Sequence, residues 1–256
     1  MLDEQALDVQ AGEEFAREVL SRIPLESVDD LLDELEGKSR RFRAELAPDR
    51  LAALDREGAC ALLRATPGVR RRAEEVLRGV GVEGLRRLWA ELLYGQGPVE
   101  DRFSAFCEAL APACPREEFI DVGGEALHWV FPDRYWLWTR WMWNPRTQTG
   151  ALRFVVPDWR ALSAPSLGQV YRKVGEAVAY AEAARESLGL FSHVRRRRSP
   201  FLNDVHLAVV YTLYLFTTLR MRMTKEFTRV LPPPWELVRR LLGVYPGEGE
   251  NAENRA

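Results

Sequence analysis

The chain has 256 residues, 46% of them apolar, and a formal net charge of −2, which is ample for a sizeable core in one domain. Its three cysteines, Cys60, Cys107 and Cys114, are odd in number and lack a CxxC spacing, which argues against a disulfide frame or a zinc site and for a reducing, cytoplasmic compartment. The amino terminus is acidic, with no basic stretch leading into an apolar run, so no secretory signal is expected.

The small net charge hides opposed ends. Residues 1–36 carry twelve carboxylates against Arg17 and Arg22. Residues 189–240 reverse this, with Arg195 to Arg198, Arg220, Arg222, Lys225, Arg229, Arg239 and Arg240 against Asp204, Glu226 and Glu236. Such halves can satisfy each other within one fold, or each can meet a partner.

Apolar residues recur with a helical period along most of the chain. Phe15, Val19 and Ile23 repeat every four residues, and Ser27 before Leu31, Leu32 and Leu35 reads as a helix cap. Pro48, Pro98 and Pro115 stand where helices can begin, the last with Glu117 and Glu118 at the positive end of the dipole. Residues 144–165, with Pro145, Gly150, Pro157 and Pro165, form the clearest break in regular structure, a junction between two helical layers; within it Arg153 to Val156 reads as a short strand. From Ser166 to Leu188, Tyr171, Val174, Val178 and Ala181 mark a buried stripe, and Gly175 with its neighbouring alanines leaves room for a close helix. A long helix is expected from about Leu202 to Val230, ended by Pro232 to Pro234. Its apolar run from Leu207 to Phe216 is cut short by Asn203, Asp204 and His206, too soon for a membrane span, which needs about 20 apolar residues. Leu207, Val210, Tyr214 and Leu215 are therefore expected to be buried. Residues 247–256 are polar and read as a disordered tail.

Five of the eight tryptophans fall between Trp129 and Trp143. Trp136, Trp138, Trp141 and Trp143 cannot share one face of a helix, so the block is either wrapped by the domain or partly offered to a partner. Trp129 and Trp138 are expected inside and Trp143 outside, beside the Asn144-Pro145 turn. Arg134 and Arg140 stand four residues from Trp138 and Trp136 and could stack on them. The run Arg195 to Arg198 is expected on an exposed loop facing an acidic surface, since four adjacent guanidinium groups resist burial.

Between Leu77 and Trp89, Gly79 and Gly81 flank Val80 and read as a tight turn whose following helix start exposes backbone N–H groups to an anion. With Gly95, Gly97, Pro98 and Asp101 further on, residues 77–103 resemble the hairpin region of helix-hairpin-helix DNA glycosylases. That resemblance implies phosphate contacts at Gly79, Gly81, Arg86 and Arg87, and a role for Asp101 in the departure of a damaged base. Glu125-x-x-His128 has a metal-ligand spacing, but no second such pair exists in the chain. A mononuclear site of Glu125, His128 and His206 is the remaining metal arrangement, against hydrogen-bonded core histidines. No phosphate-binding glycine loop or nucleophile elbow is present.

The expectation is an all-α fold in one compact domain over residues 1–246, with a Trp-rich helix pair and a long central carboxy-terminal helix. The expected function is a non-catalytic interaction protein, without metal or cofactor, serving as a subunit or adaptor of a larger cytoplasmic assembly or a homo-oligomer. Its binding residues would be Trp136, Arg140, Trp141, Trp143 and Arg195 to Arg198. The alternative is a nucleic-acid-binding, base-excision-like protein built on the Gly79–Gly81 hairpin.

Overall fold

A computed structural model describes residues 25–222 and 232–245 of the chain; Phe15, Val19, Ile23 and the 247–256 tail lie outside them. Among the described residues there are ten α-helices and no strand, in one compact all-α fold. In chain order they are α1 (Leu25–Glu45), α2 (Pro48–Ala53), α3 (Arg56–Ala65), α4 (Ala73–Val80), α5 (Val82–Tyr94), α6 (Val99–Leu110), α7 (Phe119–Val130), α8 (Leu167–Ser187), α9 (Leu202–Arg222) and α10 (Pro234–Leu241).

The apolar spacing explains the placement of the helices. Val28, Leu31, Leu32, Leu35 and Phe42 recur on one side of α1 and are all buried. Pro48 opens α2, where its missing N–H costs nothing. Asp55 caps α3 by accepting from the Gly58 N–H at 2.8 Å, and Ser166 caps α8 by accepting from the Gln169 N–H at 3.3 Å. Ser27 is no cap, because α1 already includes Leu25. Pro115 lies four residues before α7, whose N-cap position is Glu118.

Every residue of α7 is buried, including Asp121, Glu125 and His128. Helices α1, α5 and α6 pack around it, while α8 lies against α6, and α9 against α8 and α10. Helix α9 starts in the core, where residues 201–209 are all buried. Leu207 is among them, but Val210, Tyr214 and Leu215 are only half-buried. The continuous buried run ends at Val209, and Val210, Tyr211, Tyr214, Leu215 and Phe216 are half-buried.

Two segments depart from the expected elements. Residues 136–143 form no second helix but follow an irregular path over α7. At Gly124 a Cβ would collide with the Trp138 carbonyl, so only glycine lets that strand of loop lie directly on the helix. The room above Gly175 is likewise filled by the ring of Trp136 rather than by a helix. Ala151–Phe154 is a 3-10 helix, not a strand. No neighbouring strand runs alongside: Ala151 and Leu152 donate to the Trp141 and Met142 carbonyls, and the N–H groups of Val155 and Val156 close back on Leu152 at 3.2 and 3.1 Å.

Candidate functional site

The tryptophan block divides between core and surface. Trp129, Trp138 and Trp143 are fully buried. Trp138 donates its indole N–H to the Trp143 carbonyl at 2.8 Å, and Trp143 packs against Trp159 with ring centroids 6.0 Å apart. The exposed position expected for Trp143 is therefore corrected: the chain turns at Asn144 and Thr149, then folds residues 151–159 back over the indole. Trp136 is half-buried, stacked on Tyr171 at 4.7 Å, with its N–H on the Tyr171 carbonyl at 2.9 Å. It is a packing residue. Arg140 does not stack on Trp136. Its guanidinium holds the buried carboxylate of Asp121 at 2.8 and 3.0 Å, and its backbone N–H adds a third bond at 2.7 Å. Arg134 lies over Tyr135, at 5.1 Å, instead of Trp138.

Trp141 leads to an aromatic ridge that the sequence reading missed. Its ring meets Tyr211 at 6.0 Å, Tyr211 meets Tyr214 at 6.1 Å, and Tyr214 packs tilted against Phe154 at 4.6 Å. Phe154 is 50% exposed, and Trp141, Trp159, Tyr211 and Tyr214 are all half-buried. Beside Phe154, the guanidinium of Arg153 lies 4.8 Å from the Trp159 ring centre and that of Arg160 lies 4.6 Å from it. The ridge joins the 151–154 turn to the solvent side of α9, two elements far apart in sequence. The only sequence signal was the excess of aromatic over aliphatic residues at 211, 214 and 216, which an apolar-period reading treats simply as core.

The basic run is exposed, but half of it is spoken for. Asp29 on α1 accepts the Arg195 and Arg196 backbone N–H groups at 3.3 and 3.0 Å, and Arg196 also reaches Asp33 at 2.9 Å. Burial pushes the Asp29 carboxyl up, yet the bonds from Arg196 and Arg195 outweigh it and hold the group below its ordinary value. Arg239 pairs with Glu34 at 2.8 Å. Within the described residues the two charged ends thus meet inside one chain. Arg197 and Arg198 are exposed and make no ion pair with a described residue.

The hairpin turn is present: Gly81, at φ +73, joins α4 to α5, a conformation that favours glycine. Gly79 lies against Ala113, and with Val80, Gly84, Arg87 and Tyr94 it lines an open groove of about 900 Å³. The cations nearby are mostly engaged. Arg86 donates to the Leu54 carbonyl at 2.6 Å and to Glu83 at 3.2 Å, while Arg72 chelates Glu75 and also binds Glu118. Arg87 shares the groove with Glu91. Asp101 is exposed on the first turn of α6 and is not among the groove's lining residues.

The charged residues of α7 form a polar core. Lys38 donates to Glu125 at 2.7 Å and to the Leu242 carbonyl at 3.0 Å, under the Trp129 ring. Glu125 also accepts the Trp129 indole N–H at 2.8 Å. Burial dominates both partners, lowering the Lys38 ammonium and raising the Glu125 carboxyl from their ordinary values. His128 places Nε2 at 2.8 Å from Asp204 and Nδ1 at 2.9 Å from the Tyr135 carbonyl. A carbonyl only accepts, so Nδ1 carries a proton. Burial opposes charging of the ring, but the Asp204 carboxylate overrides it and raises the His128 pKa. Both ring nitrogens being committed, His128 is a core hydrogen-bonding residue. Among the described residues no group of three or more His, Cys, Asp or Glu is placed to hold a metal ion. All three cysteines are buried and unpaired, and burial pushes the Cys114 thiol up to about 12, leaving it inert near neutrality.

The histidines predict a stability maximum in pH. His206 is buried with Nδ1 unpartnered, and burial, aided by Arg185, lowers its pKa to about 4. A lowered folded-state value means stability falls as pH drops from the unfolded value near 6.5 through about 4. The raised value of His128 has the opposite sign: its contribution is complete below 6.5 and is lost as pH rises through the folded value. Urea midpoints between pH 4 and 9 should therefore peak near 6.5. Asp204→Asn should flatten the alkaline limb and His206→Phe the acid one; limbs unchanged by these variants would refute the assignment.

No helix among the described residues is long and apolar enough to cross a membrane. No protein-family model, curated protein or solved structure matches the chain.

Proposed function

We propose that the chain is a non-catalytic helical interaction protein, a subunit or adaptor of a larger cytoplasmic assembly, and that it docks through the ridge of Trp141, Phe154, Tyr211 and Tyr214. The observation that carries this reading is the half-exposed Phe154 packed against Tyr214 beside two guanidinium groups. Exposed aromatic side chains next to arginine have the composition of binding hot spots. The buried titratable residues of α7 fit the same reading: Asp121, Glu125 and His128 are each held by a partner from another element, Arg140, Lys38 and Asp204. Of the residues first nominated, Trp141 lies on this ridge, Trp143 is fully buried, Trp136 and Arg140 are half-buried and held by Tyr171 and Asp121, and Arg197 and Arg198 remain a second exposed charge.

The test is co-fractionation in extract of the native host. The wild-type chain should migrate in a complex well above its own 29.3 kDa. Phe154→Ser combined with Tyr214→Ser should release it as free chain, with the melting temperature little changed because both rings are partly solvated. Migration of the wild type as free chain would sink the reading.

A second reading keeps one supporting observation, the Gly81 hairpin opening α5 with no side-chain cap on its first N–H groups. In that reading the helix start binds phosphate with Arg87, and Asp101 assists departure of a base. Retention on heparin that falls steeply with salt, and that Arg87→Glu abolishes, would favour it.

A further inference from the structure

The corner of the fold that carries the ridge is rich in hydrogen-bond donors and short of acceptors. Arg153 and Arg160 both place a guanidinium beside the single indole of Trp159, and both are exposed. Neither lies within ion-pair distance of a carboxylate among the described residues. Elsewhere exposed arginines such as Arg56, Arg172 and Arg240 close on Glu74, Glu176 and Glu236 at 2.8 to 3.1 Å. Two like charges on one ring repel each other, and the attraction of each to an exposed ring is modest, about 0.5–1 kcal/mol. The nearby carboxylate, Asp158, accepts the backbone N–H of Arg160 at 3.1 Å. The hydroxyls of Tyr211 and Tyr214 add two groups able to donate.

A patch of this kind is complementary to an anion joined to a flat apolar group. We infer that the ridge binds an acidic peptide segment carrying an aromatic side chain. A carboxylate is held between the guanidinium groups of Arg153 and Arg160, and the ring lies on Phe154 and Tyr214. This deepens the interaction reading above and rests on it. A nucleic acid fits less well. Phosphate binding draws on cations spaced along a track, whereas here both free guanidinium groups converge on one ring and the rest of the ridge is uncharged.

The test is fluorescence anisotropy of labelled nine-residue peptides against the full chain. The probe is a glutamate- and aspartate-rich peptide with one central phenylalanine. Its controls exchange the acids for glutamine, exchange the phenylalanine for serine, or replace the peptide with a thymidine oligonucleotide of equal length. The acidic phenylalanine peptide should bind tightest, and raising salt from low to physiological strength should weaken it. Arg153→Gln with Arg160→Gln should weaken it roughly tenfold or more, since a hydrogen bond to a charged group is lost. Because both side chains are exposed, the melting curve should not move, which separates loss of binding from loss of fold. Equal binding of the glutamine peptide, or tighter binding of the oligonucleotide through the same two arginines, overturns the proposal. If the acidic peptide fails to bind while the Phe154/Tyr214 double variant still breaks the native complex, the ligand class is wrong and the interaction reading stands. If neither measurement responds to the ridge, both fall.

Discussion

Replacing Glu125 by alanine is expected to cost about 3–5 kcal/mol of folding stability, the cost of leaving a buried charge without its partner. Lys38 would lose its carboxylate in a site where its side chain is 6% exposed. The indole N–H of Trp129 would lose its acceptor in the same step. The Leu242 carbonyl alone cannot compensate an ammonium group in that environment. Lys38→Met should be damaging as well, because it leaves the Glu125 carboxylate buried. Combined as Lys38→Met with Glu125→Leu, the two changes should recover most of the loss, since an apolar pair of similar volume carries no desolvation cost. Urea denaturation of the two single variants and the double variant measures this as a coupling energy. A single-variant cost below about 1 kcal/mol would mean that water reaches the pair and that the core is looser than described. The ion pair joins α1 to α7, and through the Leu242 carbonyl to the end of α10.

Trp143→Ala should lower stability by about 3–5 kcal/mol, the range for removing a large aromatic side chain from a packed core. The indole is 0% exposed and lies against Trp159, and its own backbone carbonyl receives the Trp138 N–H. Losing the ring would also loosen the 151–159 segment that folds over it, and with it the placement of Phe154. Trp143→Phe should be far milder, because the Trp143 Nε1 has no hydrogen-bond partner to lose among the described residues. The pair of variants can be compared by thermal melting. A small effect of the alanine variant would restore Trp143 as a surface residue and would falsify the division of the block proposed above.

Trp143 also marks the limit of reading sites from local pattern. A tryptophan at the entrance of a proline-bearing loop looks exposed when judged by its neighbours alone, and the expected binding role followed from that. The ring that covers it belongs to Trp159, beyond a turn closed by the Asn144–Thr149 bridge. The ridge was hidden for the same reason. Tyr211 and Tyr214 sit in an apolar run that reads as core, yet both are half-buried, with Tyr214 against the half-exposed Phe154.

The sequence by itself determined the helical class, the burial of Trp129 and Leu207, the turn at Gly81 and the exposure of Arg195 to Arg198. Each of these depends on apolar period, backbone preference or desolvation within a few neighbouring residues, and such quantities are local. Tertiary structure alone decided which charges lie inside and what they meet. Lys38 and Glu125 are 87 residues apart, His128 and Asp204 are 76 apart, and Asp29 reaches across 166 residues to Arg195. A carboxylate's preference for water is overturned only by a specific donor brought to hydrogen-bond distance. Which donor arrives is set by how the helices pack, and no spacing along one helix encodes it.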